Sequence, residues 1–220
     1  MPLVAQIVLF EGFDPLDVIA PFEVFVAGAD VMPGALDVEL VSASGPGPVV
    51  SGSRGLTLTA TSTLDPDRPG FVVVPGAVGP TVGDPDDGVE TIPVLLARFA
   101  GDPAMALIER AMANPDVTVV AVCGGSLALA MAGLLEGRHA ATHHLGMDVL
   151  DATGVLTRDA RVVDDGDLIS GGGVTSGLDV ALHVLDREFG SEIARSVEAM
   201  FAFERRGIVW RAGGRTPVPY

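Results

Sequence analysis

The sequence predicts an α/β domain with a mostly parallel sheet covered by helices on both faces. Short β-branched runs alternate with longer segments whose apolar residues recur at helical spacing. Several of those runs, at 5–10, 71–74 and 117–122, are almost wholly apolar, as strands buried on both faces must be. The run that begins at Val117 stops at Cys123, turns through Gly124-Gly125 and continues as an Ala- and Leu-rich segment toward Gly137, which reads as strand, sharp turn, helix. A length of 220 residues suits one such domain, 1–220, and no repeat or low-complexity linker interrupts it.

In chain order, residues 5–10 form a strand in mid-sheet, 11–17 a loop, and 18–28 a helix in which Pro21 is tolerable only within the first turn. Alternation over 36–43 marks a half-exposed strand. Residues 48–50 and 55–59, joined by Ser-Gly-Ser-Arg, read as a hairpin on the flank of the sheet. A buried strand at 71–74 ends in the Pro75-Gly76 turn. The stretch 79–102 is rich in Gly, Pro and Asp and holds one helix candidate at 92–99; a loop of that length is usually functional or mobile. A helix over 103–114, opened by Pro103 and closed by Asn114-Pro115, feeds the strand that reaches Cys123. Beyond the elbow lie a short strand or turn at 139–143, a helix at 144–152, and a hairpin at 161–170 turning at Asp165-Gly166. Gly171-Gly-Gly173 then precedes helices at 174–189 and 191–203.

Composition narrows the function. With 29 acidic and 13 basic residues the formal net charge is −16, which repels a phosphate backbone and argues against nucleic-acid binding. No run approaches the roughly 18 apolar residues of a membrane span. Met1-Pro2-Leu3-Val4 leads directly into the first strand without a basic leader, and one cysteine forms no internal disulfide. The expectation is a soluble cytoplasmic protein. Asp84-Pro85-Asp86-Asp87 and Asp164-Asp165-Gly166-Asp167 suit turns; the latter lacks the ligand ladder and closing Glu of a calcium loop. His139, His143 and His144 lack the helix and the Glu of a zincin, so no metal is expected. Gly171–Gly173 do not make a dinucleotide fingerprint, and no phosphate loop is present.

The residues that could carry chemistry follow strands, where sites in open α/β sheets form. Cys123 is either a small buried hydrophobe or an active thiol. The Gly-Gly turn favours the thiol, because a strand-to-helix bend holds a side chain above the sheet beside free N–H groups, where the helix end favours thiolate. Asp17 is either a helix cap or a carboxyl set against that thiol to hold and pass a proton. Gly76, with the N–H of Ala77, and the N–H of Gly124 are candidate donors to developing negative charge. His143 is either a partner of the cysteine or a satisfied polar residue.

In Pro15-Leu-Asp-Val-Ile-Ala-Pro21, Val74-Pro-Gly76, Val122-Cys-Gly-Gly-Ser-Leu127, Ala141-Thr-His143 and Gly171-Gly-Gly-Val-Thr-Ser-Gly-Leu-Asp179 the chain resembles the ThiJ/PfpI superfamily, and within it the isocyanide hydratase branch. The resemblance implies a flavodoxin-like, three-layer sandwich of the class I glutamine amidotransferase type with a cysteine nucleophile elbow. It makes Cys123 the nucleophile and Asp17 its acidic partner, puts Gly76 and Gly124 at the oxyanion site and His143 beside the elbow, and borders the substrate pocket with Ala77 and Val174. It implies a homodimer that hydrates an isocyanide to an N-formamide without a cofactor. Glyoxalase or deglycase chemistry on α-oxoaldehydes and a non-enzymatic redox or ligand sensor stand as alternatives, although no helix-turn-helix of the kind found in the family's regulators follows Phe203. Two departures bear on the substrate. The hydratases carry Thr where this chain has Gly124, and the segment at about 80–98 reads as a possible insertion that forms a lid, reshapes the pocket or lies at the periphery. The basic tail from about residue 204 is expected to pack on the protein's own acidic surface or across a dimer contact.

Overall fold

In the computed structural model, which describes residues 2–84 and 87–213, strand β1 (Leu3–Val8) runs through the middle of the main sheet. Its one polar residue, Gln6, is fully buried because its side chain donates to the carbonyl of Asp65 and accepts from the N–H of Asp65, both at 2.8 Å. Helix α1 (Pro15–Val31) follows, starting earlier than the sequence suggests. Asp14 is its N-cap, accepting from the Leu16 N–H at 2.9 Å, and Pro15 takes the first helical position. Pro21 therefore stands inside the helix, beyond the first turn, where it deprives the ladder of one N–H. Packing of α1 on the helices near the C-terminus overrides that local penalty.

The remaining elements are β2 (Leu36–Ser42), the hairpin of β3 (Gly47–Val50) and β4 (Thr57–Ala60), β5 (Ser62–Thr63), β6 (Gly70–Val74), α2 (Ile92–Ala100), α3 (Pro103–Ala113), β7 (Val117–Val122), α4 (Gly125–Met131), β8 (His139–Ala140), α5 (Met147–Ala152), β9 (Leu156–Thr157), β10 (Val162–Asp164), β11 (Leu168–Gly171), α6 (Ser176–Phe189), α7 (Ser191–Phe201) and β12 (Trp210–Arg211). Among the described residues the main sheet is eight-stranded, ordered β12-β10-β11-β7-β6-β1-β2-β5, with every pair parallel except β10 and β11. Helices α1, α6 and α7 pack against one another, as do α2 to α5, so the sheet lies between two helical layers. Valines 72, 73, 74, 119, 120 and 122 are wholly buried at its centre.

Three further details differ from the sequence reading. Residues 144–146 form a 3-10 turn before α5, and Val174 and Thr175 precede α6 instead of opening it. The tail supplies a strand that the pattern did not announce: β12 pairs in parallel with β10. Arg205, near its start, binds Glu198 at 2.7 Å and Asp186 at 3.0 Å, so this part packs on the protein's own acidic surface. Residues 214–220, Met1, Pro85 and Asp86 lie outside the described residues. In the 164–167 turn, Asp164 binds His183 at 2.8 Å and Arg187 at 3.2 Å, while Asp165 binds Arg138 at 2.7 Å and His139 at 2.9 Å. No helix among the described residues is long and apolar enough to cross a membrane.

Candidate active site at the nucleophile elbow

Strands β1, β6, β7 and β11 are parallel neighbours, so their carboxyl ends meet at one edge of the sheet. Cys123 stands there at the end of β7 with φ +54°. A non-glycine residue in the left-handed region carries strain, and such strain at a strand-to-helix bend is the mark of a nucleophile elbow. The surroundings hold the bend. The Cys123 N–H donates to the Gly171 carbonyl at 3.0 Å, and the Thr142 hydroxyl donates to the Cys123 carbonyl at 2.7 Å. Gly125 lets α4 start against the end of β6: a Cβ there would lie 2.1 Å from the Val74 carbonyl oxygen.

Asp17, fully buried in the first turn of α1, faces this cysteine. Its Oδ2 accepts the Gly76 N–H at 2.9 Å, while Oδ1 is buried without a hydrogen-bond partner among the described residues. Burial, and then the neighbouring Asp14, push its carboxyl well above the usual range, against the opposing pull of the Gly76 N–H and the Cys123 thiol. The thiol is also pushed up, first by burial and then by the charge of Asp17, although the Gly124 N–H favours the thiolate. The helix end does not overcome these effects, contrary to the sequence-based expectation of a stabilised thiolate. Physically, the two groups titrate as a pair: the first negative charge discourages the second, so the pair retains a proton that either member can carry.

Above Cys123 lies a cavity of about 400 Å³, within the range of small-molecule sites. Its walls are mostly apolar; Leu96, Leu127, Met131, Val149 and Val174 contribute, and among the described lining residues neither Arg nor Lys appears. Thr81, Ile92, Pro93 and Leu96 bring the 80–98 segment into this wall. Outside the cavity, Phe99 of α2 stacks on Phe10, just beyond β1, at 3.7 Å between ring centroids and anchors the helix there.

The proposed site residues are thus brought to one place, with two changes of role. Gly76 adjoins the site, but its N–H is given to Asp17 and is not free to meet developing charge in the pocket. Ala77 lines the pocket and its N–H enters no backbone hydrogen bond among the described residues. His143 also lines the pocket, yet its Nδ1 accepts the Leu145 N–H at 3.3 Å, and its ring lies 4.2 Å from that of His144. Burial, and then His144, lower its pKa, which favours the neutral ring. Val174 borders the cavity. Sequence reasoning missed Asp14 and Thr142 as parts of the site. Asp14 is signalled only by its position before Pro15, and Thr142 only by its place next to His143.

Comparison with known proteins places this geometry. The DJ-1/PfpI family profile matches residues 96–187. The isonitrile hydratase of Pseudomonas putida is 33% identical over 205 residues, spanning 92% of this chain and 79% of that enzyme. The chain belongs to the DJ-1/PfpI family. Within it, the crystal structure of a ThiJ/PfpI family protein from Pseudomonas syringae is similar with a TM-score of 0.76 and 25% identity, covering 94% of this chain and 77% of that one. Drosophila melanogaster DJ-1beta matches with a TM-score of 0.73 and 18% identity over 93% of this chain and 100% of its own, a likeness of fold. The mostly parallel sheet between helical layers is thus the flavodoxin-like fold of the DJ-1/PfpI family.

Proposed function

We propose that the protein is an isocyanide hydratase that converts a small, uncharged isocyanide to the N-substituted formamide through a covalent intermediate on Cys123. The observation that carries this reading is the pairing of Cys123 with the buried acid Asp17 beneath an apolar cavity without Arg or Lys among its described lining residues. An anionic substrate would find no fixed positive partner among the described lining residues, whereas an alkyl or aryl isocyanide buries its substituent and presents its terminal carbon to sulfur. The likeness to the Pseudomonas putida isonitrile hydratase supports the same chemistry. Sulfur adds to the isocyanide carbon while that carbon takes the proton held by the Cys123–Asp17 pair, giving a thioimidate, R–N=CH–S. Water then adds at the same carbon, the C–S bond breaks, and the formamide leaves. In this reading the protein works in the cytoplasm as a homodimer.

Turnover of an aryl isocyanide, followed by chromatography of the formamide, tests the proposal. The parent protein should form product and the Cys123→Ser variant should not. Absence of product from parent protein with a reduced thiol would overturn it.

A further inference from the structure

We propose that Asp14 is a second catalytic carboxylate, which activates the water that resolves the thioimidate; this rests on the hydratase reading above. The two acids at the elbow differ in access. Asp17 is wholly enclosed beside Cys123 and is not part of the cavity wall, so it is poised to share a proton with the thiol and poorly placed to meet incoming water. Asp14 belongs to the cavity wall and retains 9% of its surface exposure. Its position is fixed from two sides: its own N–H donates to the Gly76 carbonyl at 2.8 Å, and its Oδ1 accepts the Leu16 N–H at 2.9 Å as the cap of α1. The second oxygen, Oδ2, has no hydrogen-bond partner among the described residues. A carboxyl with one oxygen anchored and the other uncommitted, on the wall of the pocket that holds the nucleophile, has the form of a general base. Burial raises its pKa, which strengthens it as a proton acceptor, and its charge is felt by both Asp17 and Cys123.

As water oxygen bonds to the thioimidate carbon, Asp14 takes one water proton and passes it to the imidate nitrogen. The resulting R–NH–CH(OH)–S collapses, the C–S bond breaks, and the hydroxyl proton returns to the Cys123–Asp17 pair. The products are R–NH–CHO and the starting enzyme, with no oxidant or reductant required.

Asp14→Asn tests this while keeping an oxygen that caps α1, and Asp14→Ser, also a capping residue, serves as a second variant. Each is mixed with the aryl isocyanide, quenched and weighed intact by mass spectrometry, alongside formamide assays and iodoacetamide labelling of Cys123. The expected result is turnover reduced about 100-fold, Cys123 still open to labelling, and chains carrying the mass of one added isocyanide in steady state. Turnover equal to that of the parent, or slow turnover with no accumulated adduct, would overturn the role of Asp14 while leaving the hydratase reading in place. No formamide from the parent protein would remove that reading, and this inference with it.

Discussion

Gly76 and Asp17 are joined across the carboxyl edge of the sheet, the Gly76 N–H donating to Asp17 Oδ2 at 2.9 Å. The contact depends on the absence of a side chain: a Cβ at residue 76 would lie 2.9 Å from that oxygen and 2.6 Å from the Gly124 nitrogen. It therefore brings the turn after β6, the first turn of α1 and the elbow after β7 to one point. It also leaves Asp17 Oδ1 buried without a hydrogen-bond partner among the described residues, an arrangement that favours the protonated acid.

Asp17 should accordingly lower stability at neutral pH. An acid whose pKa is raised by folding supports the fold fully below its ordinary value, 3.8, where both states are protonated. As pH rises, the unfolded chain ionises first, and stability is lost until the folded group has titrated. Asp17→Asn retains an acceptor for Gly76 and cannot ionise. Thermal unfolding should place variant and parent close together at pH 3 and the variant above the parent at pH 7. A tenfold change in a protonation equilibrium corresponds to about 1.4 kcal/mol, and about 1 kcal/mol moves the midpoint of a domain this size by roughly 2–4 °C. A gap independent of pH would contradict the assignment.

The same substitution should separate thiol reactivity from turnover. Removing the charge of Asp17 removes one of the causes that hold the Cys123 thiol high, so the midpoint of iodoacetamide labelling should move to lower pH. Turnover of isocyanide should nonetheless fall about 100-fold or more, since the acid that shares the proton is gone. Unchanged turnover would reduce Asp17 to a structural residue.

Much of this arrangement was legible in the residues. The apolar run ending at Cys123-Gly-Gly announced the elbow because few other local structures need a β-branched strand, a lone thiol and two glycines in that order. Asp17 and Gly76 were visible as residues that follow strands. Their hydrogen bond was not, because it joins segments 59 positions apart and redirects an N–H expected to face the pocket. The start of α1 differs for another reason: Pro21 argues locally for a helix beginning just before it, whereas the Asp14 cap and Pro15 in the first helical turn set the start earlier. Strand β12 escaped because two residues, Trp210 and Arg211, carry no periodicity and pair only where β10 provides an edge. The direction in which the Cys123 pKa moves depends on burial and on Asp17, neither of which sequence spacing measures.

Thr142 should hold the strained backbone of Cys123. Its hydroxyl donates to the Cys123 carbonyl at 2.7 Å in a buried setting. Thr142→Val keeps the shape and leaves that oxygen without its donor, at a cost of about 1–3 kcal/mol. Thr142→Ser keeps the donor and should stay closer to the parent in both chemical denaturation and turnover. Equal losses in the two variants would assign the effect to packing of the methyl group.

Gly124, where the hydratases carry threonine, faces a pocket wall that is already filled. A Cβ built there would stand 3.2 Å from Leu96 Cδ1 and 3.4 Å from Gly76 Cα, so the side chain of Leu96, brought in by α2, presses on the space a threonine would need. Backbone conformation is not the obstacle, because Gly124 has φ −68° and ψ −7°. Gly124→Thr should therefore overpack the pocket wall, costing about 1–3 kcal/mol and slowing turnover of a bulky aryl isocyanide more than that of a small alkyl one. Leu96→Ala alone should enlarge the pocket and destabilise the core, whereas combining the two should recover part of both losses. Residues in contact couple in this way, and a double-mutant cycle reads the coupling directly. Strict additivity in stability and in kcat/KM would mean that Leu96 does not occupy the threonine's place, and would detach the 80–98 segment from specificity at the elbow.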